Sequence, residues 1–187
     1  MKTAYIFLAD GFEDIEALAT RDVLMRAGVD VLLTGIGEDP FVVSSHGLTV
    51  SVDTTLDMVA PDTGDVMVFP GGMPGSRNLA ECKTLIAMMK SHAAAGGCVA
   101  AICAAPGLVL GQLDGLEGVE MTCFDGFEDT LVSKGAEFVK KPAVTCGNII
   151  SGRSAGYSVA FGLEIARKIA GEAAAAKAAE GLLLPIE

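Results

Sequence analysis

Short runs of uninterrupted apolar residues alternate with segments of helical spacing along this chain, and that rhythm narrows the possible architectures more than any other feature. Thr3 to Leu8 is apolar and ends at Asp10-Gly11, the pattern of a buried strand and a turn. Ile15, Leu18, Ala19, Val23 and Leu24 then recur at helical spacing, with Ala27-Gly28 as a natural stop. Val29 to Thr34 reads as a second strand, Phe41 to Val52 as two short strands around Ser45-His46-Gly47, and Asp65 to Phe69 as a strand running into Pro70-Gly71-Gly72. The second half repeats the rhythm. It has a helix over Glu81 to Ala95, a strand over Cys98 to Ile102, a helix over Ala105 to Leu113 and a strand over Val119 to Thr122. A hairpin follows over Phe138 to Ile150, turning at Gly147-Asn148, then helices over Gly156 to Ala170 and Glu172 to Glu180. Strands without polar alternation must be buried on both faces, so the expected fold is α/β, a mostly parallel sheet with helices on both faces. The 187 residues suit one domain spanning 1–187, because no linker, repeat or charge block divides them.

Composition removes several classes of function. Thirteen basic against 24 acidic residues give a net charge of −11, which repels phosphate backbones and anionic lipid and argues against nucleic-acid and membrane-surface roles. The apolar stretch before Asp10 is too short for a signal-peptide core. The uncharged stretch from Ser91 to Leu113 is long enough to cross a bilayer, but Gly96, Gly97, Pro106, Gly107 and Gly111 break it into a helix end, a turn, a strand and a helix. The five cysteines, Cys82, Cys98, Cys103, Cys123 and Cys146, are odd in number and lack C-x-x-C spacing. They read as free thiols of a reducing, cytoplasmic compartment. With only His46 and His92 beside them, no zinc framework is legible, and no metal or other cofactor is expected.

In a doubly wound sheet, ligands sit at the carboxyl ends of the strands, which directs attention to the loops after Leu8, Phe69, Ile102 and Thr122. Cys103 follows an apolar strand and precedes Pro106 in the first turn of a helix, with Ala101 and Ala105 as small neighbours. A nucleophile on a tight strand-to-helix elbow needs such neighbours, although a cysteine in a small-residue packing seam would look similar. A thiol at a helix N-terminus is expected to titrate below an ordinary one. Pro70-Gly71-Gly72 lets the backbone aim N–H groups at a ligand, or is an ordinary turn. Asp10-Gly-Phe-Glu-Asp-Ile-Glu16 opens the first helix with carboxylates, most of which suit the helix dipole. Glu16 lies on the face of Phe12 and Thr20 and reads either as a general acid/base sharing a proton with the thiol or as part of a solvated helix face.

Together, Glu16, Pro70-Gly71-Gly72, Asn78-Leu79 and Ala100-Ala-Ile-Cys-Ala104 resemble the ThiJ/PfpI superfamily, specifically the branch of the Parkinson-disease protein deglycase and its bacterial relatives. The resemblance runs through Asp22-Val-Leu-Met-Arg-Ala-Gly28 and Ser151-Gly-Arg-Ser-Ala-Gly156. It implies a flavodoxin-like three-layer sandwich, a class I glutamine amidotransferase-like domain and a homodimer. It also implies Cys103 as nucleophile, Glu16 as the protonated carboxyl in contact with it, and Gly72 and Ala104 as backbone N–H donors near the thiol. Arg26 and His46 match a basic pair near the pocket at the dimer interface, His46 standing where an arginine is common. Two departures matter. Ala104 stands where peptidase-like members have His, which counts against a peptidase, and Cys123 stands in the pocket where glyoxalase and deglycase members usually carry His.

Two functions follow as expectations from that resemblance. The first is cofactor-free detoxification of α-oxoaldehydes or their thiol and amine adducts, of the glyoxalase III or deglycase type, releasing a hydroxy acid such as lactate. The second is oxidative-stress sensing or chaperone-like protection through oxidation of Cys103. Cys123 is expected either as a poor proton shuttle, as a resolving thiol for Cys103, or as a plain pocket wall.

Overall fold

The computed structural model describes residues 1–60 and 64–184. The strands are β1 (Thr3–Leu8), β2 (Asp30–Gly35), β3 (Phe41–Val43), β4 (Thr49–Ser51), β5 (Thr54–Thr55), β6 (Val66–Phe69), β7 (Cys98–Ile102), β8 (Glu120–Met121), β9 (Glu137–Phe138), β10 (Ala143–Cys146) and β11 (Ile149–Gly152). The helices are α1 (Asp14–Arg26), α2 (Gly75–Glu81), α3 (Lys83–Ala94), α4 (Ala105–Leu108), α5 (Asp129–Ser133), α6 (Ser158–Ala170) and α7 (Glu172–Gly181).

Seven strands form the main sheet in the order β10-β11-β7-β6-β1-β2-β5, all parallel except the β10–β11 hairpin at one edge. The apolar runs explain its centre. β6 and β7 are buried at every residue, and successive side chains pack on opposite faces of the sheet. Ala4, Ile6, Leu8, Val66, Val68, Ala100 and Ile102 pack under α1, α6 and α7 with Phe161 and Ile165. Phe7, Met67, Phe69, Val99 and Ala101 pack on the other side with Leu79, Leu85, Met89 and Leu110. The result is a three-layer sandwich with one apolar core on each side of the sheet. Helix α6 buries Phe161, Gly162, Ile165, Ala166 and Ile169, a helical stripe, and Gly162 permits its close crossing with α1, because a Cβ there would lie 2.9 Å from Val23 Cβ.

The winding of the sheet also positions the site. The chain leaves β1 toward β2 on one side and returns through β6 on the other, so the connections diverge at the β1–β6 boundary. The carboxyl ends of β1, β6 and β7 meet there, and the segments that leave them carry Glu16, Gly71-Gly72 and Cys103.

Several boundaries differ from the sequence-based expectation. The run Val119 to Thr122 does not join the main sheet; β8 pairs in parallel with β9 in a separate two-stranded ribbon, and the Thr122 N–H is taken by Ser151 Oγ at 3.0 Å. The expected helix Ala105 to Leu113 is one α turn followed by a 3₁₀ turn at Leu110–Gln112, as befits a stretch with Pro106, Gly107 and Gly111. Helices α2 and α5 and the strands β5 and β9 are too short to leave a periodic signal. The hairpin turning at Gly147 is present, with Cys146 opposite Ile149 and Gly147 at φ +59°. Among the described residues no helix is long and apolar enough to cross a membrane, and the uncharged stretch from Ser91 divides among the end of α3, β7 and α4.

Candidate active site

Cys103 is the first residue after β7 and has φ +66°, a left-handed conformation that costs a non-glycine residue about 1–3 kcal/mol. The surroundings hold it there. Its N–H donates to Gly152 O at 3.0 Å, and its carbonyl accepts from Phe124 N at 2.8 Å. Both backbone groups are thus committed to neighbouring segments, and the thiol projects from a rigid elbow. The N–H groups of Gly72 and Ala104 are directed at that sulfur and favour its thiolate.

Glu16 reaches the same point from the first turn of α1. Its residue is 1% exposed, and Oε2 accepts from Gly71 N at 2.7 Å. Glu13 caps the helix by accepting from Glu16 N at 2.7 Å, which explains why one carboxylate of the acidic run is structural while Glu16 is free to turn inward. Burial pushes the Glu16 carboxyl up to about 7; hydrogen bonding with Cys103 and Gly71 opposes the shift, and the charge of Glu13 adds to it. Burial also pushes the Cys103 thiol up, reinforced by the negative charge of Glu16, while the Ala104 and Gly72 amides pull it down. The expectation of a thiol below the ordinary value is therefore corrected. Helix α4 is a single turn and supplies little dipole, so burial and Glu16 outweigh it. The two groups behave as a pair that retains one proton over a wide range above neutrality.

Gly71 makes this contact possible. A Cβ at that position would collide with Glu16 Oε2 and lie 2.6 Å from Cys103 Cβ and 3.1 Å from Cys103 Sγ. Gly72, at φ +88°, would place a Cβ 2.5 Å from the backbone of both Glu13 and Gly11. Gly71→Ala is expected to expel the Glu16 carboxyl and to destabilise the protein by about 1–3 kcal/mol, the usual cost of overpacking. Urea unfolding of the variant measures this directly, and an unchanged midpoint would contradict it.

The remaining residues singled out from the sequence lie elsewhere. Arg26 is ten residues beyond Glu16 on α1, about 15 Å along the helix, where it pairs with Asp22 at 2.7 Å and donates to Gly181 O at 3.2 Å. His46 is exposed in the β3–β4 turn, with Nδ1 2.5 Å from Asp14 Oδ2. Within one chain Arg26 and His46 thus lie at opposite ends of α1, whereas the resemblance implied a basic pair near the pocket at a dimer interface. The donor atoms of Glu13, Asp14 and His46 lie within 4.8 Å of one another, so these residues could hold a cation, although Glu13 is engaged as the helix cap and Asp14 with His46.

Cys123 is wholly buried in the core on the opposite face of the sheet from the one Cys103 packs against. Burial pushes its thiol up to about 12, with Glu128 adding to the shift and Arg153 opposing it. A thiol so placed keeps its proton at neutral pH and does not serve as a shuttle there. All five cysteines are unbridged.

Three elbow features coincide: a positive-φ cysteine, a buried carboxyl against it, and a glycine pair presenting N–H groups. This combination agrees with the comparisons to known proteins. The DJ-1/PfpI family model matches residues 2–168. The chain belongs to the DJ-1/PfpI family. It is 36% identical over 183 residues to protein dj-1beta of Drosophila melanogaster, covering 98% of this chain and 97% of that one. It is 32% identical over 171 residues to the glutathione-independent glyoxalase DJR-1.2 of Caenorhabditis elegans, covering 91% and 90% respectively. Among solved structures, a cysteine-to-alanine mutant of a DJ-1 superfamily protein from Salmonella typhimurium superposes with a TM-score of 0.92 at 34% identity, covering 100% of both chains. The sandwich is thus the flavodoxin-like α/β fold of DJ-1 proteins.

Sequence reasoning did not single out Arg153, whose guanidinium spans the loop beside Cys103, nor Phe124, whose N–H holds the Cys103 carbonyl. The Ser151-Gly-Arg motif was visible as family resemblance, but only the fold shows what the arginine reaches.

Proposed function

We propose that this DJ-1/PfpI protein is a cofactor-free glyoxalase III or deglycase-type enzyme acting on α-oxoaldehydes or their thiol and amine adducts. The observation that supports it most is the buried Glu16 carboxyl, titrating near 7 against the Cys103 thiol. In the singly protonated pair, the proton can move from sulfur to Glu16, leaving a thiolate facing the Gly72 and Ala104 amides and a neutral carboxyl beside it. Attack on an aldehyde carbon forms the S–C bond, and Glu16 gives its proton to the oxygen, making a hemithioacetal. Glu16, now a carboxylate, removes the proton from the former aldehyde carbon and returns one to the adjacent carbon. The enediol formed between these transfers thereby collapses to a thioester. Water cleaves the S–C bond and releases the hydroxy acid, regenerating the pair. The sum is methylglyoxal plus water to lactate. The glyoxalase name of the nematode relative supports the reaction class.

A second reading, a redox sensor, is favoured by one observation. Among the described residues Glu16 Oε1 is buried with no hydrogen-bond partner, a position from which a neutral carboxyl could donate to an oxidised sulfur. The same proposal includes a homodimer. Exposed Ile15, Phe41, Val43 and Leu48 lie on the start of α1 and the β3–β4 hairpin, which are joined through Gly11 N to Val43 O at 2.8 Å. Five free thiols fit a cytoplasmic setting.

The deciding experiment is lactate formation from methylglyoxal without glutathione, in wild type and Cys103→Ser. Turnover lost in the variant supports the enzyme. Absent turnover with selective mass gain at Cys103 under peroxide would replace it with the sensor.

A further inference from the structure

Side chains from β11 and the residue that follows it hold the loop beside the elbow. The segment from Thr122 to Phe127 follows β8 and supplies the Phe124 N–H that binds the Cys103 carbonyl. It has little regular structure of its own. Ser151 Oγ takes the N–H of Thr122 at the segment's start, and the segment's middle is gripped by Arg153, which directly follows β11 and is anchored through its own N–H to Pro142 O at 3.0 Å. Its guanidinium donates from Nη1 to Cys123 O at 3.1 Å and from Nη2 to Asp125 Oδ1 at 2.6 Å, so one planar fork grips the segment on either side of Phe124. The arginine side chain is 16% exposed, and its charged carbon lies 5.9 Å from the Phe138 ring centre. Lys140 adds a second cation 3.5 Å from Asp125. The arginine sits next to Gly152, whose carbonyl takes the Cys103 N–H, so the residue after the elbow's one anchor grips the loop that provides the other.

We propose that Arg153 is a positioning residue of the site: by clamping Cys123 and Asp125 it fixes Phe124 against the elbow and limits the size of electrophile admitted to the Cys103 thiol. Small aldehydes and compact adducts enter; bulky ones are refused by the loop and the exposed Phe124 ring. Lysine cannot replace it fully, because a single ammonium lacks the fork that reaches a backbone carbonyl and a carboxylate together. The inference rests on Cys103 as the reactive thiol, and its test requires no turnover.

The test compares alkylation of Cys103 by iodoacetamide and by the bulkier N-phenylmaleimide, with hydrogen exchange at the Phe124 amide, in wild type, Arg153→Met, Arg153→Lys and Asp125→Asn. Methionine keeps much of the apolar stem while removing the fork. Arg153→Met is expected to raise the bulky-to-small rate ratio about tenfold and Phe124 exchange by a similar factor, the scale of a lost hydrogen bond to a charged group. The lysine variant should fall between it and wild type. Asp125→Asn, at an exposed side chain, should raise the ratio about threefold, because the Cys123 contact survives. If Arg153→Met fails to fold, Asp125→Asn decides: a raised ratio supports the clamp and an unchanged one overturns it. An unchanged ratio in a folded Arg153→Met overturns it, as does equal acceleration of both reagents with exchange raised throughout the chain, which marks general destabilisation. Phe124 exchange reads the clamp even if Cys103 reacts with neither reagent, so failure of the proposed function and failure of the clamp remain distinguishable.

Discussion

Cys103→Ser is expected to reduce methylglyoxal turnover by at least about a thousandfold while leaving the fold intact, since removing a nucleophile typically costs that much or more. The hydroxyl is close in size to the thiol and leaves the two backbone anchors at Gly152 and Phe124 untouched. What changes is acidity. Glu16, near 7, can take a proton from a thiol but is a far weaker base than a serine alkoxide, so the shared-proton state that generates the nucleophile is lost. Thermal midpoints of both proteins separate this from unfolding. Residual turnover within tenfold of wild type would remove Cys103 from the reaction.

Glu16→Gln is expected to lower turnover by about 10²–10⁴, the usual worth of a positioned acid/base, and to change two pH profiles. The amide can accept from Gly71 and donate to sulfur, but it exchanges no proton. Wild-type alkylation of Cys103 should bend near pH 7, where the pair loses its first proton, and the variant should lack that bend. The stability profile has the opposite sense to that of a salt-bridged carboxylate. The folded Glu16 titrates near 7 against 4.5 for the unfolded reference, so the folded state binds its proton more tightly. Ionising it costs nothing below about pH 4.5; the cost grows from there to pH 7 and stays constant above, reaching about 3 kcal/mol at most. The stability difference between Glu16→Gln and wild type should therefore increase over that window in favour of the variant. Urea unfolding at pH 5 and pH 8 reads it, and a difference independent of pH would contradict the raised carboxyl.

Much of the architecture was legible without coordinates, because a strand such as Cys98–Ile102 that must be dry on both faces leaves an unbroken apolar run, and a covering helix such as α6 leaves a periodic one. Cys103 and the glycine pair were legible for a related reason: a crowded elbow admits only small neighbours, and that restriction is local. Where an element is short, the signal fails. Val119 to Thr122 has the composition of a strand, but its pairing partner, Glu137–Phe138, is a two-residue strand that leaves no signal of its own.

Charge states and long-range contacts were likewise beyond local reading. Within Asp10 to Glu16 only the helical face shared with Phe12 and Thr20 set Glu16 apart, and that left a buried acid/base and a solvated carboxylate both open; the fold decided that Glu13 caps α1 while Glu16 turns inward. The sequence by itself determined the layered α/β architecture, the elbow cysteine and the space around it, since these follow from burial and side-chain size at neighbouring positions. Tertiary structure alone decided that Glu16 is buried beside Cys103, that Cys123 faces the opposite core, and that Arg153 spans the loop beside the elbow, because desolvation and charge pairing depend on groups the chain brings together from far apart.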